Sequence, residues 1–111
     1  MAKHEFGIMQ IPPTGTERFD TYEPEKYNCI SIDDCYIETI LAELDSVDCY
    51  WHTLATPGKG LAYCGVTILP PKSLDLLISI LLRQNERNFA ALVDLATWAK
   101  ESGKFIIHYG L

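Results

Sequence analysis

Several features that would identify a function are missing from this 111-residue sequence. It contains no Cys-x-x-Cys pair, no glycine-rich phosphate-binding motif, and no motif of the serine or zinc hydrolases. Only three histidines occur, His4, His52 and His108. We therefore expect no cofactor and no bound metal. The missing signatures also argue against an enzyme, without excluding one.

Long apolar runs are missing too. The most apolar stretch, residues 74–82, contains Asp75 and Ser79 and is about half as long as a membrane-spanning helix. The first residues lack the apolar core of a secretory signal. We therefore expect a cytoplasmic protein without membrane contact. An apolar content of 48% is ordinary for a globular chain and predicts one domain, residues 1–111.

Cysteines are few, and none is placed as if to form a disulfide framework. The four are Cys29, Cys35, Cys49 and Cys64. Each has apolar or aromatic neighbours in the sequence, which is typical of a small buried side chain. We expect four free thiols packed in the core of a cytosolic protein.

Charge is distributed unevenly along the chain, whose net charge is −6. Residues 1–48 carry eleven acids and three bases, whereas residues 49–111 carry four acids and six bases. An acidic half repels phosphate backbones, which argues against a nucleic-acid partner. It also attracts a basic protein partner, or simply keeps the chain dissolved.

Hydrophobic periodicity predicts an α+β fold. The predicted strands cover residues 3–11, 27–32, 49–55, 61–69 and 104–109. The predicted helices cover residues 34–45 and 74–83 and a segment from about 89 to 101, with a polar interruption at 84–88 and a stop at Gly103. The order after residue 27 is that of the split β-α-β, or ferredoxin-like, arrangement. We expect an antiparallel sheet of about five strands, with two or three helices on one face and the N-terminal strand added at an edge.

Residues 14–25 form a polar, turn-rich connection without periodicity, of a length that is often functional. Its aromatic residues suggest that it packs onto the domain. The second face of the predicted sheet is then either free or covered by this segment, and the sequence leaves both open.

A hairpin of strands 49–55 and 61–69 carries the residues of most chemical interest. A four-residue loop places Thr56 opposite Leu61, whereas a five-residue loop places Ala55 there. Because side chains alternate along a strand, the choice moves every residue to the other face. We prefer the first register, which points Trp51 inward.

In that register Tyr50, His52 and Tyr63 share the sheet face away from the helices. With Tyr22 from the long segment they form a predicted binding surface for a partner or a small ligand, since such rings combine an apolar body with a polar group. In the other register His52 faces Cys64, which would make a thiol–imidazole pair.

Three further groups of polar residues are candidates. Cys49 and His52 resemble half a metal site but point to opposite faces of a strand. His4 and His108 become neighbours if the terminal strands pair. The acids at 33, 34 and 38 match the start of a helix, where they would act as a cap.

From the sequence we expect a protein-interaction or self-associating module that uses the acidic half and the aromatic sheet face. Two alternatives stay open. One is a small-molecule binding or sensor domain with a pocket between the long segment and the sheet. The other is an enzyme that uses His52.

Overall fold

A computed structural model describes residues 2–111, which form one six-stranded sheet and four α-helices. The strands are β1 (Lys3–Met9), β2 (Ile30–Asp33), β3 (Asp48–Trp51), β4 (Pro57–Lys59), β5 (Val66–Leu69) and β6 (Phe105–Tyr109). The helices are α1 (Asp34–Glu38), α2 (Leu41–Leu44), α3 (Leu74–Arg83) and α4 (Ala90–Ser102). The strand order is β2-β1-β6-β5-β3-β4 and every pairing is antiparallel. The predicted α+β class and antiparallel sheet are confirmed.

Three details of the predicted topology are wrong. The N-terminal strand is not at an edge: β1 lies between β2 and β6, and most of its residues are buried. A split β-α-β sheet would place β2 beside β5, but β1 and β6 separate them. The sheet has six strands rather than about five, since Pro57–Lys59 adds an outer strand.

The helix ends follow local chemistry. The break between α3 and α4 falls at the predicted polar interruption, and Gly103 ends α4 in the left-handed conformation at φ 67°. The helix predicted over 34–45 is instead two short helices, separated at Thr39 and Ile40. Ser73 makes no cap, because its hydroxyl donates to the carbonyl of Asp48.

The helices cover one face of the sheet and form the main core with it. Phe6, Leu69 and Ile106 from the strands pack with Leu77 and Ala96 from α3 and α4, and all five are buried. The buried residues on this face are mostly apolar. Within residues 2–111 no helix has the length and apolarity needed to cross a bilayer.

The opposite face is covered as well. Phe19, Tyr27 and Cys29 pack there against Ile68 and Tyr109. The long connection before β2 therefore packs on the sheet, so of the two possibilities that the sequence left open the covered face is the one observed. The reason is burial: the strand residues on this face are themselves apolar and need a cover.

The hairpin has neither of the two predicted registers. Tyr50 lies opposite Ile68 and Trp51 opposite Thr67, one step beyond the preferred pairing. The connection is not a four-residue turn, because Pro57 and Gly58 belong to β4 and pair with β3 on its outer side. The Trp51 ring lies against Gly58, where a Cβ atom would be 2.5 Å from it. Trp51 is 36% exposed rather than directed into the core.

Candidate functional site

Most of the polar groups with unusual surroundings meet at one end of the sheet, where β1 and β5 begin and β6 ends. Alternation along the strands sorts them onto two faces. His4, His108 and Thr67 lie on the helix side. Their chain neighbours Glu5, Tyr109 and Val66 lie in register on the other side. The sheet thus separates a buried hydrogen-bond chain from an open cavity.

The buried hydrogen-bond chain, called the relay below, joins five side chains. His4 Nδ1 is 2.9 Å from His108 Nε2, and the two rings are stacked with 5.1 Å between centroids. His108 Nδ1 is 3.1 Å from the hydroxyl of Thr67. At the other end His4 Nε2 is 2.9 Å from Asp34 Oδ1, which also accepts the hydroxyl of Tyr63 at 2.6 Å. His4, His108 and Thr67 are completely buried.

One arrangement of hydrogens satisfies every member with both imidazoles neutral. Asp34 accepts, so His4 carries its hydrogen on Nε2 and accepts at Nδ1 from His108. His108 then accepts at Nδ1 from the Thr67 hydroxyl. The Thr67 oxygen in turn accepts the backbone N–H of Ala62 at 2.8 Å. Each donor points along the relay toward the Asp34 carboxylate.

The relay changes the acidity of its members. Burial, with a smaller contribution from neighbouring His4, lowers the pKa of His108 to about 3. The hydroxyl of Tyr63 and the imidazole of His4 hydrogen-bond to Asp34 and lower the pKa of that carboxyl. The same contact with Asp34 raises the pKa of Tyr63 to about 12. At neutral pH the relay therefore holds a negative charge on Asp34 and a neutral ring on His108.

Asp34 does not act as the expected helix cap. It is the first residue of α1, and the preceding Asp33 makes no side-chain cap bond. The Asp34 carboxylate is committed to His4 and Tyr63 instead. Of the two acids at this helix start, Asp34 thus forms the outer end of the relay. Its partners His4 and Tyr63 are distant in the sequence.

The cavity lies on the other side of the same strands and has a volume of about 540 Å³. Its floor is formed by the sheet, and its walls by the long segment and the loop before β5. The lining residues are Ala2, Lys3, Glu5, Asp20, Tyr22, His52, Cys64–Val66 and Tyr109–Leu111. Its volume is within the range of small-molecule sites.

Asp20 and His52 form one side of the cavity. His52 Nδ1 is 2.7 Å from Asp20 Oδ1, and Arg18 donates to the second carboxylate oxygen at 2.9 Å. The arginine, then the imidazole, lower the pKa of Asp20. The backbone of His52 has φ 64°, a left-handed conformation rare for a residue with a side chain. Its carbonyl accepts the N–H of Phe19 at 2.7 Å, so this bend ties the long segment to the sheet.

Glu5 and Tyr22 form the other side. The hydroxyl of Tyr22 donates to the Glu5 carboxylate, and this contact raises the pKa of Tyr22 to about 12. Glu5 is only 8% exposed, so this is a nearly buried carboxylate at the cavity wall. The Tyr22 ring meets the ring of Tyr109 edge-on at 5.2 Å between centroids. Tyr22 itself is more than half exposed.

The four predicted binding residues do not form one surface. His52 and Tyr22 line the same cavity, as the pocket alternative predicts. Tyr50 lines a separate cavity of about 300 Å³ near Lys59 and Lys72. Tyr63 belongs to the relay, although the next residue, Cys64, reaches the main cavity. The change of hairpin register explains the scatter, because Tyr50 now shares a face with Ile68.

The thiol–imidazole pair is not formed by hydrogen bonding. His52 Nε2 faces the backbone instead, accepting a long bond of 3.4 Å from the N–H of Val66. All four thiols are free, but the prediction that all are buried is wrong: Cys35 and Cys64 are exposed. Among residues 2–111, no three His, Cys, Asp or Glu side chains are grouped to hold a metal ion.

The sequence alone did not connect Asp34, Thr67 and Tyr63 with the histidines, and it gave Glu5 and Asp20 no role. For the relay, the sequence indicated one contact: His4 and His108 lie in the two terminal strands and become neighbours if those strands pair. Comparison of the chain with family models, with curated proteins and with solved structures finds no match to any of them.

Proposed function

We propose that the protein binds a small polar organic molecule in the cavity between the long segment and the sheet. The observation that supports this is the convergence of two carboxylates and an imidazole, from Glu5, Asp20 and His52, on one cavity of about 540 Å³. Apolar parts of Tyr109 and Val66 form its floor. A mostly apolar cavity with a few convergent polar groups is what small-molecule sites have in common.

The charges at the cavity favour a ligand with hydrogen-bond donors or a positive charge. Glu5 and Asp20 are acidic and Lys3 is the only lysine or arginine in the lining. The exposed ring of Tyr22 adds a surface on which a cation or a flat ring can pack. We therefore propose amines and protonated heterocycles as the ligand class, in preference to phosphates or dicarboxylates.

Binding is better supported than catalysis. A general base needs a free acceptor atom aimed at the reacting group. Both ring nitrogens of His52 already have partners, in Asp20 and in the N–H of Val66. This imidazole fixes the shape of the cavity. The earlier alternative of an enzyme that uses His52 gains no support from these contacts.

A thermal-shift screen with charge-matched compounds tests the proposal. The panel should hold small amines, their neutral amide analogues and carboxylic acids of similar size. A ligand that binds only the folded state raises the melting temperature by mass action. We expect hits among the amines and none among the acids.

Two matched variants test whether the compounds found in the screen bind in this cavity. Asp20→Asn removes one of the two carboxylate charges of the cavity while keeping side-chain size, and Asp48→Asn removes a similarly exposed, lysine-paired charge outside the cavity. We expect Asp20→Asn to abolish the shifts and Asp48→Asn to keep them. A panel without a single hit, or hits that Asp20→Asn leaves unchanged, would contradict the proposal.

A protein partner is the second candidate, favoured by the acidic half of the chain. The sheet face that was expected to bind it is covered, so any such contact must use other surface. Leu82 and Trp98 are apolar side chains about half exposed or more on α3 and α4. Size-exclusion chromatography with light scattering checks the self-associating form: a monomer at high concentration removes it.

The four free thiols support a place in the cytoplasm.

A further inference from the structure

The loop of residues 61–65, which precedes β5, contacts both the relay and the cavity. The ring of Tyr63 packs on His4 with 5.3 Å between centroids, and its hydroxyl donates to Asp34. The next two residues, Cys64 and Gly65, line the cavity. A movement of Tyr63 away from the relay would thus displace the cavity wall.

Tyr63 is the group that separates the buried imidazoles from solvent. His4 and His108 are completely buried, whereas the Asp34 side chain keeps 18% of its exposure. The shortest hydrogen-bonded path outward from His4 therefore runs through Asp34, under the hydroxyl of Tyr63. Tyr63 covers this route, since its ring packs on His4 and its hydroxyl donates to Asp34.

We propose that proton uptake by the buried imidazole pair releases the loop of residues 61–65 and so opens the wall of the ligand cavity. This regulation rests on the proposed binding function, because it acts on the same cavity. With the loop closed, every contact along the relay already contains one hydrogen. The imidazole pair can take up a further proton only if the Thr67 hydroxyl turns away from His108 or the relay opens.

The Thr67 hydroxyl contacts the same loop. The Thr67 oxygen accepts the N–H of Ala62 and donates to His108, so two of its three bonding directions are used. If His108 becomes the donor, the hydroxyl hydrogen moves to the third direction, and the Thr67 oxygen then accepts from both His108 and Ala62. The loop is therefore released at the Tyr63 end of the relay, where contacts with Asp34 and His4 hold it.

The charged groups around the imidazoles do not remove this effect. α1 contributes Asp34 in contact, and Glu38 lies near Tyr63. Lys3 and Glu5 flank His4 on β1 but occupy the opposite face of the sheet, as Tyr109 does beside His108. One carboxylate, that of Asp34, therefore faces the pair, and its Oδ1 atom already accepts hydrogen bonds from Tyr63 and His4.

The expected size of the effect follows from linkage. Because burial disfavours the charged imidazole in the closed state, the open state binds more protons and gains population as the pH falls. An exposed imidazole with a pKa of about 6.5 makes the open state about 30-fold more populated at pH 5.0 than at pH 7.5.

Amide hydrogen exchange by NMR, without any ligand, tests the proposal on the intact protein. After correction for the intrinsic rates, we expect protection of the Ala62 and Leu111 N–H groups to fall at least tenfold from pH 7.5 to pH 5.0. These groups hold the loop through Thr67 and through the carbonyl of Tyr63. Amides in the middle of α4 should lose no more protection than the fall in the free energy of global unfolding accounts for, as measured by urea unfolding, and should stay better protected than the loop at both pH values. Constant protection of the loop, or loop protection equal to that of α4 at both pH values, would overturn the proposal.

Variants separate the relay from general charge effects. Tyr63→Phe should lower loop protection at pH 7.5 already, and His108→Gln should remove its pH dependence. Asp33→Asn removes an exposed charge beside the relay and should behave as the unmodified protein. If His108→Gln does not fold, amide exchange of Tyr63→Phe and of the unmodified protein still tests the proposal. A loop response without ligand hits contradicts only the binding function, and hits without a loop response contradict only this inference.

Discussion

The imidazole rings of His4 and His108, 104 residues apart in the chain, lie nearly parallel at an angle of 14° and share a hydrogen bond of 2.9 Å. This contact joins the first strand to the last one at the end of the sheet where the cavity lies. It also needs a partner at each outer nitrogen, which Asp34 and Thr67 supply. Within residues 2–111 no buried side-chain nitrogen or oxygen lacks a partner.

Global stability should depend on pH through His108. Its folded-state pKa is lowered from about 6.5 to about 3, so the unfolded chain binds the extra proton. The contribution of His108 to the free energy of unfolding is complete above pH 6.5. It is lost as the pH falls toward 3, with a slope approaching about 1.4 kcal/mol per pH unit. Urea unfolding between pH 7.5 and 4.5 measures it. A flat profile over that range, or the same slope in His108→Gln, would contradict this assignment.

Removing the Thr67 hydroxyl should be costly. Thr67→Val leaves the N–H of Ala62 and Nδ1 of His108 without their partner in a buried place, at about 1–3 kcal/mol for each group. Thr97→Val is the matched control, because the hydroxyl of Thr97 only donates back to the helix carbonyl of Val93. Urea unfolding should show a much larger loss for Thr67→Val. Equal losses would mean that the relay adds no stability.

Gly110 should tolerate no side chain. A Cβ atom there would lie 2.2 Å from the carbonyl oxygen of Tyr63, so the backbone of the loop must move. We expect Gly110→Ala to lower the unfolding free energy by about 2–4 kcal/mol. Gly15→Ala is the control, since a Cβ atom there has nothing within 4 Å. Thermal unfolding of the two variants compares them directly, and similar melting temperatures would show that the loop is not held at Gly110.

The four thiols should divide into two classes. Cys35 and Cys64 are exposed and should react quickly with a thiol reagent at pH 8. Cys29 and Cys49 should react slowly, because burial raises the pKa of each thiol to about 11. Mass spectrometry after timed labelling identifies the residues. Fast labelling of Cys49 in the folded protein would contradict the packing of β3.

Part of this site was predictable from the sequence. Hydrophobic periodicity predicted the two terminal strands. Because His4 lies in one and His108 in the other, the two rings were expected to be neighbours if these strands pair. Tyr22 and His52 were predicted to line a pocket under the long segment, and both line the main cavity. These predictions depended on local pattern alone.

The rest depended on relationships that a local pattern does not contain. The register of β3 and β5 is set by Pro57–Lys59 pairing on the outer side of β3, so the loop length gave the wrong answer. Asp34 is a residue type that commonly caps helices, and it stands at a predicted helix start. Its contact with Tyr63 arises only from the tertiary fold. The cover over the second sheet face follows from the apolar residues there, which the predicted register had assigned partly to the core.

The central claim, a ligand site between the long segment and the sheet, is tested most directly by mapping one bound amine. Amide shifts in a ¹H–¹⁵N spectrum should change on titration with the strongest amine hit. We predict that the saturable changes cluster at Asp20, Tyr22, His52 and Cys64–Val66. Changes confined to α3 and α4, or none at millimolar amine, would contradict the account.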